Sequence, residues 1–333
     1  MFILESYALA IVFCVITMFC WGSWANTQKL AQKDWRFELF YWDYAIGVLI
    51  LSLLFGLTLG SIGSAGRGFF QDLGQASGDS LLSAFVGGVI FNAANILLVA
   101  AIAIAGMAVA FPVGIGLALV LGVIINYLGS PVGNPVLLFA GVGFVTVAII
   151  LDAVAYRRLP SQGAGLSMKG LGLSVACGIL MGFFYRFVAA SMSTDFANPE
   201  AGKMGPYAAV FVFSVGLLVS NFIFNTFIMK KPFVGEPVSF SAYFQGSLGT
   251  HFIGVLGGLI WGVGMSFSII ASGQAGFAIS YGLGQGATMV AALWGVFVWK
   301  EFKEAPSGTN KFIALMFICF FVGLVTIILA RAA

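Results

Sequence analysis

The sequence VGGVIF at residues 86–91 is repeated as LGGLIW at residues 256–261, 170 positions later. Without a gap, the same offset aligns AGMA at 105–108 with AGFA at 275–278. Small and aliphatic residues match easily by chance, but one register held through an apolar segment and the connection after it is a stronger signal. The pattern indicates that one structural unit occurs twice in the chain.

The composition requires lipid as the main solvent. Of 333 residues, 60% are hydrophobic and 8% are charged, and the mean hydropathy is +1.05. A soluble domain carries about 25% charged residues. The chain is therefore predicted to be an integral protein of a lipid bilayer. Its net charge of +3 is small and scattered, which argues against nucleic acid as a partner.

Ten apolar runs are long enough to cross a bilayer core of about 30 Å, which needs roughly 20 apolar residues. They are residues 4–25, 38–62, 79–103, 106–128, 134–155, 169–192, 205–229, 250–271, 276–299 and 310–331. Residues 1–5 contain no basic residue, and no obvious cleavage site precedes Trp21. We therefore expect a retained first helix rather than a signal peptide.

The repeat offset makes the third and fourth runs equivalent to the eighth and ninth. This predicts a five-helix unit used twice, with repeats at residues 1–160 and 161–333. Because five spans are an odd number, the second copy must face the opposite way. Inverted repeats let many secondary transporters open alternately to either side of a midplane site. The predicted fold is an all-α membrane bundle of ten helices in two inverted repeats, and the predicted function is transport.

The basic residues set the predicted orientation. One side carries eleven of them in its loops and the other side carries three, with Arg186 set aside as intramembrane. The eleven are Lys29, Lys33, Arg36, Arg157, Arg158, Lys169, Lys230, Lys231, Lys300, Lys303 and Lys311, and the three are Arg67, Lys203 and Arg331. The basic-rich side is expected to be cytoplasmic. This predicts a multi-pass protein of the cell (inner) membrane with both termini outside the cytoplasm.

Two charged residues inside the spans are candidates for coupling or gating, because a charge at a helix centre costs roughly 2.5–3.5 kcal/mol on insertion scales. Asp43 lies near the cytoplasmic end of the second span. It is either an interfacial carboxylate in an aromatic belt or an acid that binds a coupling ion. Arg186, in the outer half of the sixth span, either reaches the outer headgroups or forms a gate.

Amide side chains are the main candidates for solute contact. Asn92 and Asn95 lie near the middle of the third span, where an amide must find partners. They serve either as hydrogen bonds between helices or as solute ligands. Gln285 lies at a comparable depth in the ninth span, between Gly284 and Gly286, and is predicted to contact the solute.

Four aromatic residues complete the candidate solute site: Trp21, Tyr185, Trp261 and Tyr281. Interfacial anchoring is sufficient to explain Trp21 at the end of the first span. Trp261 lies in the middle of the eighth span, where anchoring does not apply. It is either a packing residue or a platform that stacks on a planar ring or a sugar face.

The sequence offers no enzyme, metal or cofactor motif. It lacks GxxxxGK[ST], so no phosphate-binding loop for ATP hydrolysis is expected. His251 is the one histidine, which excludes a multi-histidine metal site, and the four cysteines fall in apolar runs without metal-ligand spacing. We expect no cofactor, no metal and no enzymatic activity.

Short motifs near both ends resemble the ureide permeases. In the first half they are WGSW at residues 21–24, YWDY at 41–44, and Gly87–Gly88 with Asn95. In the second half they are GQAG at 273–276, Gln285, WGV at 294–296 and KEF at 300–302. The chain is more distantly similar to bacterial glucose/ribose and rhamnose porters, and all of these belong to the drug/metabolite transporter superfamily.

The resemblance implies ten helices in two inverted repeats around a central cavity, with helices 5 and 10 peripheral. It also implies proton-coupled uptake of neutral polar solutes such as allantoin, uracil or sugars. Asp43, Asn95 and Gln285 are the residues that match. The long central cytoplasmic loop of the plant proteins is absent, and the sequence around Tyr185 and Arg186 departs from their pattern.

We therefore predict a secondary active transporter that takes up a small neutral polar metabolite: a ureide, a nucleobase or nucleoside, or a monosaccharide. A proton, or alternatively sodium, is the expected coupling ion. A sugar-specific porter, a passive solute channel and a structural or sensory membrane protein remain as alternatives, and both a monomer and a homodimer remain open.

Overall fold

The computed structural model describes residues 1–31, 35–159 and 167–332, and this part of the chain is helical without any strand. The α-helices are α1 Tyr7–Ser23, α2 Asn26–Leu30, α3 Phe37–Leu57, α4 Phe69–Gln75, α5 Gly78–Ala105, α6 Met107–Ala110, α7 Gly116–Gly129, α8 Pro135–Arg157, α9 Met168–Ser191, α10 Pro206–Lys230, α11 Phe240–Phe244, α12 Leu248–Ala275, α13 Phe277–Gly284, α14 Ala287–Leu293 and α15 Thr309–Ala332. Two π-helical segments, Phe111–Ile115 and Trp294–Val298, lie before α7 and after α14. Lys33 and the predicted repeat boundary at 160/161 lie outside the described residues.

Within those residues, nine helical stretches are long and apolar enough to cross a membrane. The remaining predicted span is α1, which is apolar but 17 residues long because the chain turns at Trp24 before α2. The predicted ninth span is one stretch, Phe277–Val298, built from α13, α14 and a π-helical segment. The all-helical membrane fold predicted from the sequence is confirmed, while ten full-length spans are not.

The repeated glycine motif explains why the helices approach so closely. A Cβ atom at Gly88 of α5 would overlap the carbonyl oxygen of Phe213 in α10. A Cβ atom at Gly258 of α12 would overlap the carbonyl oxygen of Tyr44 in α3 in the same way. Small residues let helix backbones pack directly against each other in membranes. The repeated glycines therefore join α5 to α10 and α12 to α3.

A second pair of contacts has the same relation. Gly216 of α10 lies against the carbonyl oxygen of Phe85, and Gly47 of α3 lies against that of Val255. Phe85 and Val255 are 170 positions apart, the offset of the repeat. Each half of the chain thus supplies the same glycine surfaces to the other half. This reciprocity is what a twofold relation between the halves would produce.

The ends of α5 and α12 also correspond. Both helices contain 28 residues, and each begins after a serine, Ser77 or Ser247, whose side chain accepts a hydrogen bond from the third residue beyond it. Both end at a glycine with positive φ, +75° at Gly106 and +82° at Gly276. A side chain is strained in that conformation, so glycine stops both helices at the same point.

The helices form a central bundle with one peripheral pair. In the bundle, α5 packs on α9 and α10, α12 packs on α1 and α3, and α7 packs on α9. The helices α8 and α15 pack mainly on each other. Large apolar side chains such as Leu82, Val136 and Phe321 are more than half exposed, as expected for surfaces that face lipid. The bundle encloses the cavity described next.

Candidate functional site

A central cavity of about 300 Å³ lies between the two halves of the chain. Its wall comes from α1, α2, α5, α9, α12, the segment before α7 and the helices of the ninth span. The lining residues are Trp21, Gly22, Trp24, Ala25, Gln28, Phe91, Asn95, Leu98, Val99, Ile102, Phe111, Ile115, Met181, Phe184, Trp261, Gln285, Ala287, Thr288 and Ala291. A mostly apolar wall with a few polar groups is typical of small-molecule sites. Four predicted residues, Trp21, Asn95, Trp261 and Gln285, are brought together here.

Aromatic rings form one side of the cavity. The rings of Trp21 and Trp261 are nearly parallel, with centroids 5.9 Å apart and planes 13° apart. Phe91 packs on Trp261 at 4.3 Å, and Trp24 packs on Tyr44 at 4.7 Å. Trp261 is therefore held from several sides, which gives the cavity a rigid π surface. Such a surface can stack on the flat face of a solute.

Gln285 lies at the break between α13 and α14. Its side-chain amide forms no hydrogen bond with the described residues, although the residue is only 8% exposed. The adjacent Gly284 allows close contact, since a Cβ atom there would lie 2.8 Å from the ring of Trp21. The amide therefore faces the cavity with both its donor and its acceptor available.

Asn95 supplies the second amide. Its Nδ2 donates to the hydroxyl of Tyr41 at 3.1 Å, which fixes the side chain, and it is 3% exposed. The Tyr41 ring stacks on Tyr44 at 5.1 Å. The amide oxygen has no protein donor among the described residues, so it can accept a hydrogen bond from a solute.

Asn92 lies outside the cavity wall. Its Nδ2 donates to Ser220 Oγ at 2.8 Å and to the carbonyl oxygen of Leu217 at 3.3 Å. Both partners belong to α10, so Asn92 ties α5 to α10. Asn92 and Asn95 are three residues apart on α5 and therefore lie on adjoining parts of one helix face. The part that carries Asn92 is covered by α10. The sequence left both interpretations open, and the contacts favour the hydrogen bond between helices.

Tyr185 and Tyr281 also lie outside the cavity wall, toward the side away from the basic-rich loops. The Tyr185 hydroxyl is 3.0 Å from Ser268 Oγ and 3.4 Å from Ser280 Oγ. The Tyr281 hydroxyl donates to the carbonyl oxygens of Ala118 and Met181. A buried phenol needs a partner, and these two find theirs in helices rather than in the cavity. We call the cluster of Tyr185, Ser268 and Ser280 the outer seal.

Asp43 is not in the cavity either. Its carboxylate accepts a hydrogen bond of 2.6 Å from the Tyr243 hydroxyl and lies 2.9 Å from Nδ1 of His251. Trp35 packs edge-on against His251 at 5.3 Å. These contacts tie α3 to α11 and α12 at the basic-rich end. We call Asp43, Tyr243 and His251 the latch.

Arg186 is half-buried near the opposite end of the bundle. Its guanidinium packs against Gly129, the last residue of α7, where a Cβ atom would overlap it. No hydrogen bond or ion pair to the described residues holds it. Asp43 and Arg186 are thus at different ends of the molecule and do not form one site.

The cavity continues into a second space of about 500 Å³, which we call the vestibule. Both spaces share wall residues such as Gly22, Gln28 and Phe111. The vestibule is lined at its far end by Lys29 and Glu301, which belong to the basic-rich side. The cavity is therefore reached from that side, while the outer seal lies on the other.

Sequence reasoning missed the vestibule residues Tyr156 and Glu301. The Tyr156 hydroxyl donates to Glu301 Oε2 at 2.8 Å, and Lys29 Nζ lies 3.1 Å from Glu301 Oε1. A carboxylate at the end of a span is usually solvated, and Glu301 follows the predicted ninth span, which ends at residue 299. The KEF motif at 300–302 was the signal that could have identified it.

Comparison with known proteins agrees with this architecture. The family model for ureide permeases matches residues 40–162 and 157–331. The chain is similar to Ureide permease 1 of Arabidopsis thaliana, with 23% identity and 97% of each chain covered. Its identity to Ureide permease 4 of the same plant is also 23%, over 100% of this chain and 99% of the relative. A protein of known crystal structure matches with a TM-score of 0.60 and 16% identity over 98% of this chain and 99% of that one, which concerns the fold alone.

Proposed function

Because the chain belongs to the ureide permease family, we propose that it is a secondary active transporter for a ureide or nucleobase, taken up with a proton. The relatives are permeases, so the chain is a transport protein of the membrane and not an enzyme. The substrate class is supported by the names of those relatives together with the chemistry of the cavity. A monosaccharide in place of the ureide is the alternative that the thermal-shift screen below separates, and sodium in place of the proton is the alternative coupling ion.

The observation that carries the proposal is a pair of amides facing one cavity beside an aromatic wall. Asn95 and Gln285 offer hydrogen-bond donors and acceptors without charge, which suits a neutral polar solute. Trp21 and Trp261 offer flat π surfaces to a planar ring. A ureide or nucleobase has both a flat face and a rim of N–H and C=O groups, so it complements both features.

The mechanism we propose is alternating access between two inverted five-helix repeats, residues 1–160 and 161–333. The reciprocal glycine contacts support this division, because they give both halves the same contact surfaces. In the state described here, the vestibule leads into the cavity and the outer seal closes the other end. Rocking the halves would close the vestibule and separate Tyr185 from Ser268 and Ser280.

The orientation we propose places the vestibule in the cytoplasm and both termini outside, following the basic residues of the loops. Asp43 acts as a gating residue in this scheme. Its carboxylate is already satisfied by Tyr243 and His251 and does not reach the solute path, so the coupling role expected of it from sequence is not kept. Arg186 is proposed as an outer anchor that positions α9 against α7.

A passive channel is the runner-up function. It would need a path open to both sides, whereas the buried hydrogen-bonded cluster of Tyr185, Ser268 and Ser280 blocks one side. The closed end therefore favours a transporter. A channel would pass solute without saturation and without accumulation against a gradient.

The test of substrate class is a thermal-shift screen of the purified protein against allantoin, uracil, uridine and glucose. A ligand at one hundred times its dissociation constant stabilises the protein by about 2.7 kcal/mol. We expect allantoin or uracil to raise the melting temperature, and Gln285→Ala to remove that shift. A shift with glucose alone would favour the sugar porter, and no shift with any of the four would contradict the proposal.

A further inference from the structure

Glu301 has a special position on the solute path. Among the described residues that line the cavity or the vestibule, it is the one acid and Lys29 is the one base. Each oxygen of its carboxylate has its own partner: Oε1 lies 3.1 Å from Lys29 Nζ, and Oε2 accepts from the Tyr156 hydroxyl at 2.8 Å. The acid therefore joins α2 to α8 across the vestibule.

The backbone around Glu301 is arranged to direct it inward. Lys300 has a φ of +53°, a left-handed conformation that is uncommon for a lysine. The turn brings the Glu301 N–H back to the carbonyl oxygen of Gly295 at 2.9 Å. A Cβ atom at Gly295 would lie 2.9 Å from the Tyr156 hydroxyl and 3.0 Å from Glu301 Oε2. Backbone strain of this kind clusters at functional sites.

A second acid lies beside this network. Asp152 precedes Tyr156 by one helical turn on α8 and is 6% exposed. It has no hydrogen bond or ion pair to the residues that the structure describes, and it lies one helical turn from Tyr156, whose hydroxyl donates to Glu301. A buried carboxylate without a cation is costly to keep charged. Of these two carboxyl groups, Glu301 alone is paired with a cation among the described residues, Lys29.

The other charged groups nearby have their own environments. Arg158 of α8 donates to the carbonyl oxygen of Ser307 and lies over the ring of Phe312. Lys300, Lys303 and Glu304, on the same turn as Glu301, are exposed. Lys29 is consequently the one cation among the described residues that forms an ion pair with Glu301, and none is paired with Asp152.

We propose that Asp152 and Glu301 form the binding site for the coupling proton, with Tyr156 positioning Glu301 and Lys29 as the counter-ion. The inference rests on the proposed function and locates its coupling step. In uptake, a proton that binds in the state open to the outside bonds to a carboxylate oxygen of Glu301 and removes its negative charge. The attraction between Glu301 and Lys29 is then weak, which loosens α2 from the turn after the ninth span, until the proton leaves through the vestibule to the cytoplasm.

Three contacts connect the end of α1 and α2 to the segment after α14, and the attraction between Lys29 and Glu301 is one of them. Ser23, Asn26 and Lys29, at the end of α1 and in α2, all contact residues 294–301. They bind in order to Trp294 Nε1 at 2.9 Å, Trp299 Nε1 at 2.7 Å and Glu301. Only the last of these bonds changes strength with protonation. Protonation at Glu301 can thus be transmitted to α1, which carries Trp21.

The test compares Asp152→Asn and Glu301→Gln with wild type and with Glu304→Gln, a matched change at an exposed position of the same turn. Each purified protein is reconstituted into liposomes with radiolabelled uracil or allantoin. One measurement is accumulation driven by a pH gradient of one unit, acidic outside. The other is counterflow, the exchange of internal for external solute without a gradient, which requires a folded, alternating protein but no net proton movement.

Wild type and Glu304→Gln should accumulate solute up to about tenfold per pH unit at a stoichiometry of one to one. Asp152→Asn and Glu301→Gln should reach a ratio of about one, as expected without proton coupling, while counterflow persists. Accumulation that survives in both variants would overturn the inference. So would loss of counterflow in both, whether the proteins melt normally or fail to fold, since the acids would then be gating or structural. Wild type with neither accumulation nor counterflow of either solute would instead refute the proposed function.

Discussion

Trp21 and Trp261 come from different halves of the sequence, yet their indole planes lie 13° apart with ring centroids separated by 5.9 Å. Two stacked layers need about 7 Å between the outer rings, so a solute does not fit between the two indoles in this state. The cavity-facing surface of Trp21, the less buried of the two, is therefore the available platform. This relationship leads to the first prediction.

Trp21→Ala should weaken solute binding strongly, and Trp21→Phe should weaken it less. Stacking of a base on an aromatic side chain contributes about 1–3 kcal/mol, or about five- to one-hundred-and-fifty-fold in affinity. Isothermal titration with the solute that gives the largest thermal shift measures the effect. Equal losses for both variants would show that the indole packs against Gly284 and Gly264 without touching the solute.

Asn95→Ala and Gln285→Ala should abolish measurable uptake while the protein still inserts. Each removes a hydrogen bond and leaves a polar solute group unpaired in a sheltered cavity, which costs about 1–3 kcal/mol. The matched control is Asn92→Ala, one turn from Asn95. It should lower the melting temperature, because it breaks the link to Leu217 and Ser220, and leave the dissociation constant unchanged.

The glycine contacts predict that the same substitution, glycine to alanine, lowers thermal stability at one position and not at another. Gly88→Ala places a methyl group against the carbonyl oxygen of Phe213, and overpacking of this kind costs about 1–3 kcal/mol. Gly172→Ala, on α9, meets no atom within 4 Å and should be neutral or slightly stabilising. Thermal unfolding in detergent measures both. If the two variants melt alike, the direct backbone contact between α5 and α10 is not essential.

The latch predicts a local effect of Tyr243→Phe. Burial raises the pKa of the Tyr243 phenol, so it remains protonated and donates to Asp43 at physiological pH. A hydrogen bond to a charged acceptor contributes about 1.5–3 kcal/mol. Amide hydrogen exchange in α11 should accelerate about tenfold or more when the bond is lost. Tyr127→Phe, whose hydroxyl has no partner among the described residues, is the control and should leave that exchange rate unchanged.

The fold was largely predictable because the repeated glycines mark equivalent places in the two halves where one helix packs directly against another. Gly88 and Gly258 are 170 positions apart, and their partners in the structure, Phe213 and Tyr44, are separated by nearly the same interval of 169. Helix ends were less predictable. The chain stops being helical after Ser23 and again between Gly284 and Ala287, although the predicted spans 4–25 and 276–299 run through both places. Hydropathy indicates whether a segment lies in lipid or in water, but it does not show where the helix within that segment is interrupted.

The site was predictable only in part, because spacing gives the face of a helix but not its neighbour. Gln285 and Asn95 face the cavity, whereas Asn92 on an adjoining part of the same face meets α10. Tyr185 and Tyr281 find partners in the bundle on the far side of the cavity. Glu301 was missed because only the turn after the ninth span, with Lys300 in a left-handed conformation, directs it inward.

Transport by alternating access requires that one cavity opens in turn to the two sides of the membrane. Cysteine accessibility to a membrane-impermeant thiol reagent tests this directly, with Ala291→Cys in the vestibule and Ser268→Cys in the outer seal. We predict that, without solute, Ala291→Cys reacts only from the cytoplasmic side and Ser268→Cys is protected. Saturating solute with an outside-acidic pH gradient should slow the first reaction and make the second occur from outside. Simultaneous reaction at both positions, or no change at either, would contradict alternating access.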